Sequence, residues 1–282
     1  MRRWYSYRVP ADTSLFTPLH LQPAAVCRLA FGAAAEWLRR HAVSHRALVA
    51  EHRTGLVLWA VQLLTGDPIT FFDADQLDVE VTGRVRGGGS QFECEVAIGP
   101  ATGERTRLHA CLVPLRLEDD GALLGTPAAL GPAVMDRFLA DEVDQRPHRS
   151  PVPRLRAEIT ARARPLARAR TPFVVHRHQC EIADQWFWAE AVALGERGRE
   201  ELVIAGADGL PLLRQAMRVP LQRLDILFQR PYFLFDEGTV ASTAYEWYGG
   251  LAFVHEFLDA GDEGARRPRA VAIEQFPGES PS

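Results

Sequence analysis

The residues able to do chemistry in this chain are a few carboxylates and histidines set beside clustered aromatics. Asp184 lies in Cys180-Glu181-Ile-Ala-Asp184-Gln185-Trp186, where a strand pattern gives way to a helical one. An aspartate there caps a helix by accepting a backbone N–H, and the same carboxylate can handle a proton; the two roles are compatible. Glu190 follows, between Trp186-Phe187-Trp188 and the stretch from Ala191 to Leu194. Facing an apolar cleft, it is a carboxyl of raised pKa suited to general-base work; facing solvent, it is an ordinary helix glutamate. Glu36, in Ala33-Ala-Ala-Glu36-Trp37, holds a matching place on an earlier helical stretch and carries the same pair of readings. His20, in Thr17-Pro-Leu-His20-Leu-Gln-Pro23, is either an acid or base working with a carboxylate from elsewhere or a structural loop histidine. His176 and His178 alternate along a strand pattern and so share a face, but no third ligand beyond Asp184 is evident; no metal and no cofactor are expected. Trp186, Phe187 and Trp188 either line a substrate pocket or fill a core.

Two absences narrow the chemistry further. The 282 residues include no lysine and no asparagine, so all 32 basic residues are arginine. This excludes a Schiff-base lysine, a P-loop lysine and an asparagine in an oxyanion hole. A GxSxG elbow, an HExxH helix and a GxGxxG turn are also missing. Cys27, Cys94, Cys111 and Cys180 are widely spaced among apolar neighbours and read as buried free thiols. No apolar run reaches the roughly 18 residues of a membrane span, and no signal-peptide core follows Met1-Arg-Arg-Trp4. From these last two absences a cytoplasmic address without a membrane partner is the expectation, and the net charge of -4 argues against a nucleic-acid partner.

The elements that must hold these residues follow a repeated plan. Tyr5–Val9 reads as a strand, and Pro23–His41 as a helix whose apolar face carries Val26, Leu29, Ala30, Ala33, Ala34, Trp37 and Leu38. Strands are expected over Leu56–Leu64, Gln76–Val85, Gln91–Ile98 and Arg107–Leu117, with glycine-rich turns at 87–90 and 99–103. The second half repeats the order: a strand at Phe173–His178, a helix from about Gln185 to Ile204, and strands near Arg223–Phe228, Val240–Trp247 and Leu251–Phe257. Pro68-Ile-Thr-Phe-Phe72-Asp73 is echoed by Pro231-Tyr-Phe-Leu-Phe235-Asp236 at the same joint of each half, which points to duplication. The expected divisions are 1–118 for the first unit, 119–171 for a connection with a helix from Pro132 through Glu142 and an Arg/Pro-rich stretch, 172–260 for the second unit, and 261–282 for a mobile tail.

One long helix wrapped by a curved antiparallel sheet, twice over, resembles the double-hotdog acyl-thioester proteins: acyl-carrier-protein thioesterases and the hydratases and dehydratases that share the fold. The stretches carrying the likeness run from Trp4 to Leu117 and from Leu224-Asp-Ile-Leu-Phe-Gln-Arg-Pro231 into Phe235-Asp236-Glu-Gly238. The resemblance implies an α+β fold and a site where the start of one central helix meets the neighbouring hotdog. There a helix N–H polarises the thioester carbonyl and a carboxylate or histidine manages the proton. Asp184, Glu190, Glu36 and His20 are then the candidate catalytic residues, with Trp186, Trp188 and Phe187 lining the acyl pocket. Thr17 to Ala25 is similar to part of the Asn-Pro-Leu-His-x-Asp-Pro motif of MaoC-type hydratases. It departs from that motif at Thr17 and Leu15, which stand where the asparagine and the catalytic aspartate belong, and in the missing preceding glycine. The arginines of 154–170 read as a dock for an acidic acyl carrier protein or coenzyme A phosphates, or as a solvated linker. The expected activity is hydrolysis of an acyl thioester on an acyl carrier protein or coenzyme A, in polyketide or fatty-acid-type metabolism, by a monomer or homodimer. The alternatives are a dehydratase, hydratase or conjugate-addition enzyme on an enoyl thioester, and a non-catalytic acyl-binding subunit.

Overall fold

The computed structural model describes residues 2–118, 125–182, 184–206, 211–261 and 267–278. Its elements are β1 (Trp4–Pro10), α1 (Pro23–His41), α2 (His45–His52), β2 (Thr54–Leu64), β3 (Gln76–Arg86), β4 (Gln91–Gly99), β5 (Thr106–Leu117), β6 (Gly125–Pro127), α3 (Pro132–Met135), β7 (Val143–Asp144), α4 (Val152–Arg162), β8 (Arg164–Val174), α5 (Ala189–Gly206), α6 (Pro211–Gln215), β9 (Arg223–Phe228), β10 (Glu237–Trp247), β11 (Gly250–Asp259) and β12 (Ala270–Phe276). The long strands form one sheet in the order β1-β3-β4-β5-β2-β9-β12-β11-β10-β8, antiparallel throughout. The order reads the same plan outward from the β2–β9 joint in both directions: two hotdogs in tandem, one around α1 and one around α5.

Sequence explains the central helices. Pro23 opens α1, where its missing N–H costs nothing, and Arg39, Arg40 and His41 close it where positive charge suits the helix dipole. Its small residues, Ala30, Ala33 and Ala34, bring the helix close to the sheet, and fully buried Trp37 anchors its end. Gly83 of β3 makes room for that indole, because a Cβ there would lie 2.6 Å from the ring. Gly198 serves α5 in the same way, since a Cβ would meet Ser242 Oγ at 2.6 Å.

The sequence echo is one turn built twice. Thr70 N–H donates to Asp73 Oδ2 at 2.6 Å, and Phe233 N–H donates to Asp236 Oδ2 at 3.0 Å. Each turn then receives the chain entering its central helix: Leu21 N–H on Ile69 O at 2.7 Å, and Trp186 N–H on Tyr232 O at 2.9 Å. The halves meet at the joint, where Gln62 and Asp225 face one another in register and Gln62 Nε2 donates to Asp225 Oδ1 at 2.9 Å.

Three boundaries differ from the expectation. The stretch after 260 carries β12, which lies between β9 and β11 with Ala270, Val271, Ala272 and Ile273 buried, so that part of the expected mobile tail is core. The Arg-rich connection ends at Arg162, and 164–174 forms the edge strand β8, earlier than the expected strand at Phe173–His178. The connection itself crosses the outer face of the sheet, where Val152 and Ile159 of α4 pack on Ala60, Cys111, Leu227, Val254, Val271 and Ile273. The helix expected through Glu142 is reduced to α3 and a 3₁₀ turn at Ala140–Glu142. No helix among the described residues is long and apolar enough to cross a membrane.

Candidate functional site

A gap in the sheet creates the site. β2 and β9 pair only from Ala60 to Leu64, and beyond Phe228 the chain turns away through Pro231 toward the echo turn. The first part of β2 is left with β5 alone, so a cleft opens beside Val57, Leu58 and Trp59. Its opposite wall is Phe228 to Tyr232, and the segment Glu181 to Trp188 closes it from the second hotdog, with about 440 Å³ of room for solvent. That size suits a small-molecule site.

The closing segment is held rigidly. Glu181 N–H donates to Gln185 O at 2.8 Å, Phe187 N–H donates to Gln179 O at 2.8 Å, and Gln185 bridges to Phe233. Trp186 stacks on Phe173 at 5.6 Å and meets Tyr232 edge-on at 5.6 Å; the Tyr232 hydroxyl donates to Leu258 O at 2.9 Å. These ties keep Gln185 and Trp186 extended, so α5 starts at Ala189 rather than at the expected Gln185. Within the cleft, burial alone pushes the Glu181 carboxyl up to about 7, and no ion pair among the described residues counters it. A carboxyl with that pKa exchanges protons at neutral pH.

Trp188 and Leu58 border both this cleft and a second space, an apolar slot between α1 and β2, β4 and β5. Where the cleft has about 440 Å³ of room for solvent the slot has only about 30 Å³, so it is a narrow apolar seam between helix and sheet. It exists because Ala30, Ala34 and Ala110 place small side chains where helix and sheet face each other, with Phe31, Phe92 and Leu112 among the larger lining groups. The same layer of the second hotdog is full. Strand registers and the two helix entries match Arg199, Ser242, His255 and Glu274 to Ala34, Val81, Val96 and Ala110 of the first. There Arg199 pairs with Glu274 at 2.5 Å and with Glu196 at 3.2 Å, and Ser242 Oγ meets His255 Nδ1 at 2.8 Å. Burial raises the Glu274 carboxyl, but Arg199 and His255 outweigh it and hold it at about 2. One hotdog therefore offers apolar space and the other a charged core.

The expected site residues scatter around this arrangement. Asp184 is exposed, five residues before α5 in a left-handed conformation with φ 52°, and pairs with Arg177 at 2.9 Å; it does not cap the helix. Glu190 faces α1 and pairs with Arg28 at 2.7 Å across the two hotdogs. Glu36 binds Arg39 and Arg40 of its own helix, each at 2.6 Å, which holds its carboxyl at about 2. His20 is buried beside the charged core of the second hotdog. Burial, with the charge of Arg199, lowers its pKa to about 4, so it is neutral at pH 7; Nδ1 lies 3.3 Å from Thr17 Oγ1 and Nε2 has no hydrogen-bond partner among the described residues. None of these four lines the cleft, whereas Trp186 and Trp188 do, and Phe187 packs edge-on against Phe31 of the slot at 5.5 Å. His176 and His178 lie at a 3₁₀ turn rather than on a strand, their rings 6.0 Å apart. Glu181 was not singled out by sequence, although it stands three residues from Asp184. Its one signal was its place before the Gln185-Trp-Phe-Trp188 cluster.

No family model matches the chain, and no curated protein matches it by sequence. Solved structures do match over the full length. A protein assigned as an oleoyl thioesterase of Lactobacillus plantarum aligns with TM-score 0.71 and 12% identity, over 99% of this chain and 98% of that one. The 12:0-ACP thioesterase of Umbellularia californica aligns with TM-score 0.70 and 10% identity, over 98% and 94%. An acyl-ACP thioesterase of Bacteroides thetaiotaomicron aligns with TM-score 0.66 and 11% identity, over 97% and 98%. The chain has the tandem double-hotdog fold of these proteins.

Proposed function

We propose that this protein hydrolyses an acyl thioester presented on an acyl carrier protein or coenzyme A. The observation that carries the reading is Glu181, a carboxyl near pKa 7 in the inter-hotdog cleft, next to the apolar slot under α1. The acyl chain enters the slot past Trp188 and the pantetheine arm occupies the cleft. Ionised Glu181 takes a proton from water, the hydroxide oxygen bonds to the thioester carbonyl carbon, and a backbone N–H before Glu190, whose own N–H and that of Ala191 already donate to Phe187 O and Trp188 O, receives the developing oxyanion. Collapse breaks the C–S bond, and the proton held by Glu181 passes to the leaving thiolate, giving a carboxylic acid and a free thiol. The full-length likeness to acyl-ACP thioesterases supports the same reading. Hydration through His20 is less favoured, because His20 is buried, its pKa is lowered to about 4, and it does not line the cleft.

The test is incubation with saturated and 2-enoyl thioesters while free thiol and enoyl absorbance are followed in parallel. Thiol release from both is expected. Enoyl loss without thiol supports hydration instead, and binding without either change leaves an acyl-binding subunit.

A further inference from the structure

The convex face of the first hotdog holds a second constellation that the cleft does not use. Glu93 of β4 is almost fully buried, His109 of β5 is its diagonal neighbour on that face, and His148 arrives from the connection between β7 and α4. Their donor atoms all lie within 4.8 Å of one another. His109 Nε2 is 2.9 Å and His148 Nδ1 is 3.0 Å from the same oxygen, Glu93 Oε1. The second oxygen, Oε2, is held by Arg84 and by Arg86 at 2.6 Å. We propose that Glu93, His109 and His148 bind one divalent transition-metal ion of the zinc class.

Donor chemistry and charge both fit. Two imidazoles and one carboxylate oxygen are zinc-type ligands; tetrahedral ligands at about 2.0–2.2 Å stand roughly 3.3–3.6 Å apart, so the 2.9 and 3.0 Å contacts to Glu93 Oε1 open by a few tenths of an ångström to admit the ion. The arginines on Oε2 fix the carboxylate so that it offers a single oxygen, the orienting role outer partners play in metal sites. Arg84 also pairs with Glu95 at 3.3 Å and Arg86 with Asp144 at 3.0 Å. With neutral imidazoles this group of two arginines and three carboxylates carries one net negative charge, which favours a cation. His148 is placed independently of the ion: its backbone N–H donates to Gln91 Oε1 at 2.6 Å and its ring meets Trp59 edge-on at 6.0 Å. Bound metal would fasten the connection to the outer face of the first hotdog.

The experiment uses the full chain, stripped with a chelator and titrated with Zn²⁺ by calorimetry and with Co²⁺ by visible absorbance. One equivalent is expected to bind, with at least about 100-fold weaker binding in H109Q and H148Q, the upper end of what loss of even an outer partner costs. H176Q/H178Q, which removes the other histidine pair, is expected to bind as the wild type does. A wild-type chain that takes up no zinc, or uptake that survives H109Q/H148Q, overturns the proposal. Where the variants do not fold, carbethoxylation of the wild type decides: zinc must protect His109 and His148 but not His176 and His178, and equal labelling with and without zinc overturns it.

Discussion

At the residue scale, Glu181 and His20 have opposite pH signatures. Hydrolysis needs Glu181 ionised, so kcat/KM for thiol release should rise about tenfold per pH unit up to about pH 7 and level off above it, with the slope absent in E181Q. A flat profile in the wild type speaks against Glu181 as the base. The Glu181 pKa in the folded chain lies above its unfolded value, so the folded state holds the proton more tightly, and this group's share of stability falls as pH rises from 4.5 to about 7. For His20 the folded pKa lies below the unfolded one. Its contribution is full above pH 6.5 and is lost as pH falls toward 4, by up to about 3 kcal/mol at 1.36 kcal/mol per unit. Urea unfolding of H20Q and wild type at pH 7 and pH 5 checks this: the variant should lose less stability on acidification, and equal losses would contradict it. Of this chemistry, sequence showed the aromatic cluster and the unusual His20, but not Glu181. Its pKa comes from the walls of the cleft, Val57 to Trp59 and Phe228 to Tyr232, which lie far away in the chain.

At the scale of elements, α1 and the strands of the first hotdog could be read closely, since each keeps one regular apolar face. β12 could not, because both of its faces are covered: Val271 and Ile273 lie under α4, and Ala270 and Ala272 face the α5 side. Two buried faces remove the alternation that marks a strand. β8 was hidden for another reason, since an edge strand carrying Arg164, Arg168 and Arg170 looks like a basic linker. The slot too depends on how elements meet, on alanines of α1 facing Ala110 of β5. Filling it with A110L should cut kcat/KM for long-chain thioesters by more than about tenfold and change short-chain turnover within about threefold, as each methylene excluded from apolar space is worth about 0.8 kcal/mol. Equal losses across chain lengths would place the acyl chain elsewhere.

For the whole molecule, the two hotdogs share a joint and a contiguous hydrophobic core but differ in the layer beneath their central helices. The Pro-to-Phe-Asp echo revealed the duplication in sequence, and the turn hydrogen bonds of Asp73 and Asp236 explain why it persists. The divergence was illegible, because Arg199, Ser242, His255 and Glu274 sit far apart in sequence and meet only when α5 packs on β10, β11 and β12. R199M should cost about 3–5 kcal/mol by leaving Glu274 buried without its partner, and R199M/E274M should recover much of that loss. Denaturant unfolding of the two variants measures it, and a double variant as unstable as the single one would deny that the pair acts as a unit. The charged core fills this layer of the second hotdog, and the proposed acyl site lies in the first.

The most direct test of that account is steady-state thiol release from one long-chain acyl thioester by the wild type and E181Q at pH 8, with folding of both verified by circular dichroism. Turnover by the wild type and a kcat lowered at least about 100-fold in E181Q, with KM changed little, is the result expected of a lost general base. Wild-type turnover that E181Q retains in full would contradict the assignment of hydrolysis to this cleft.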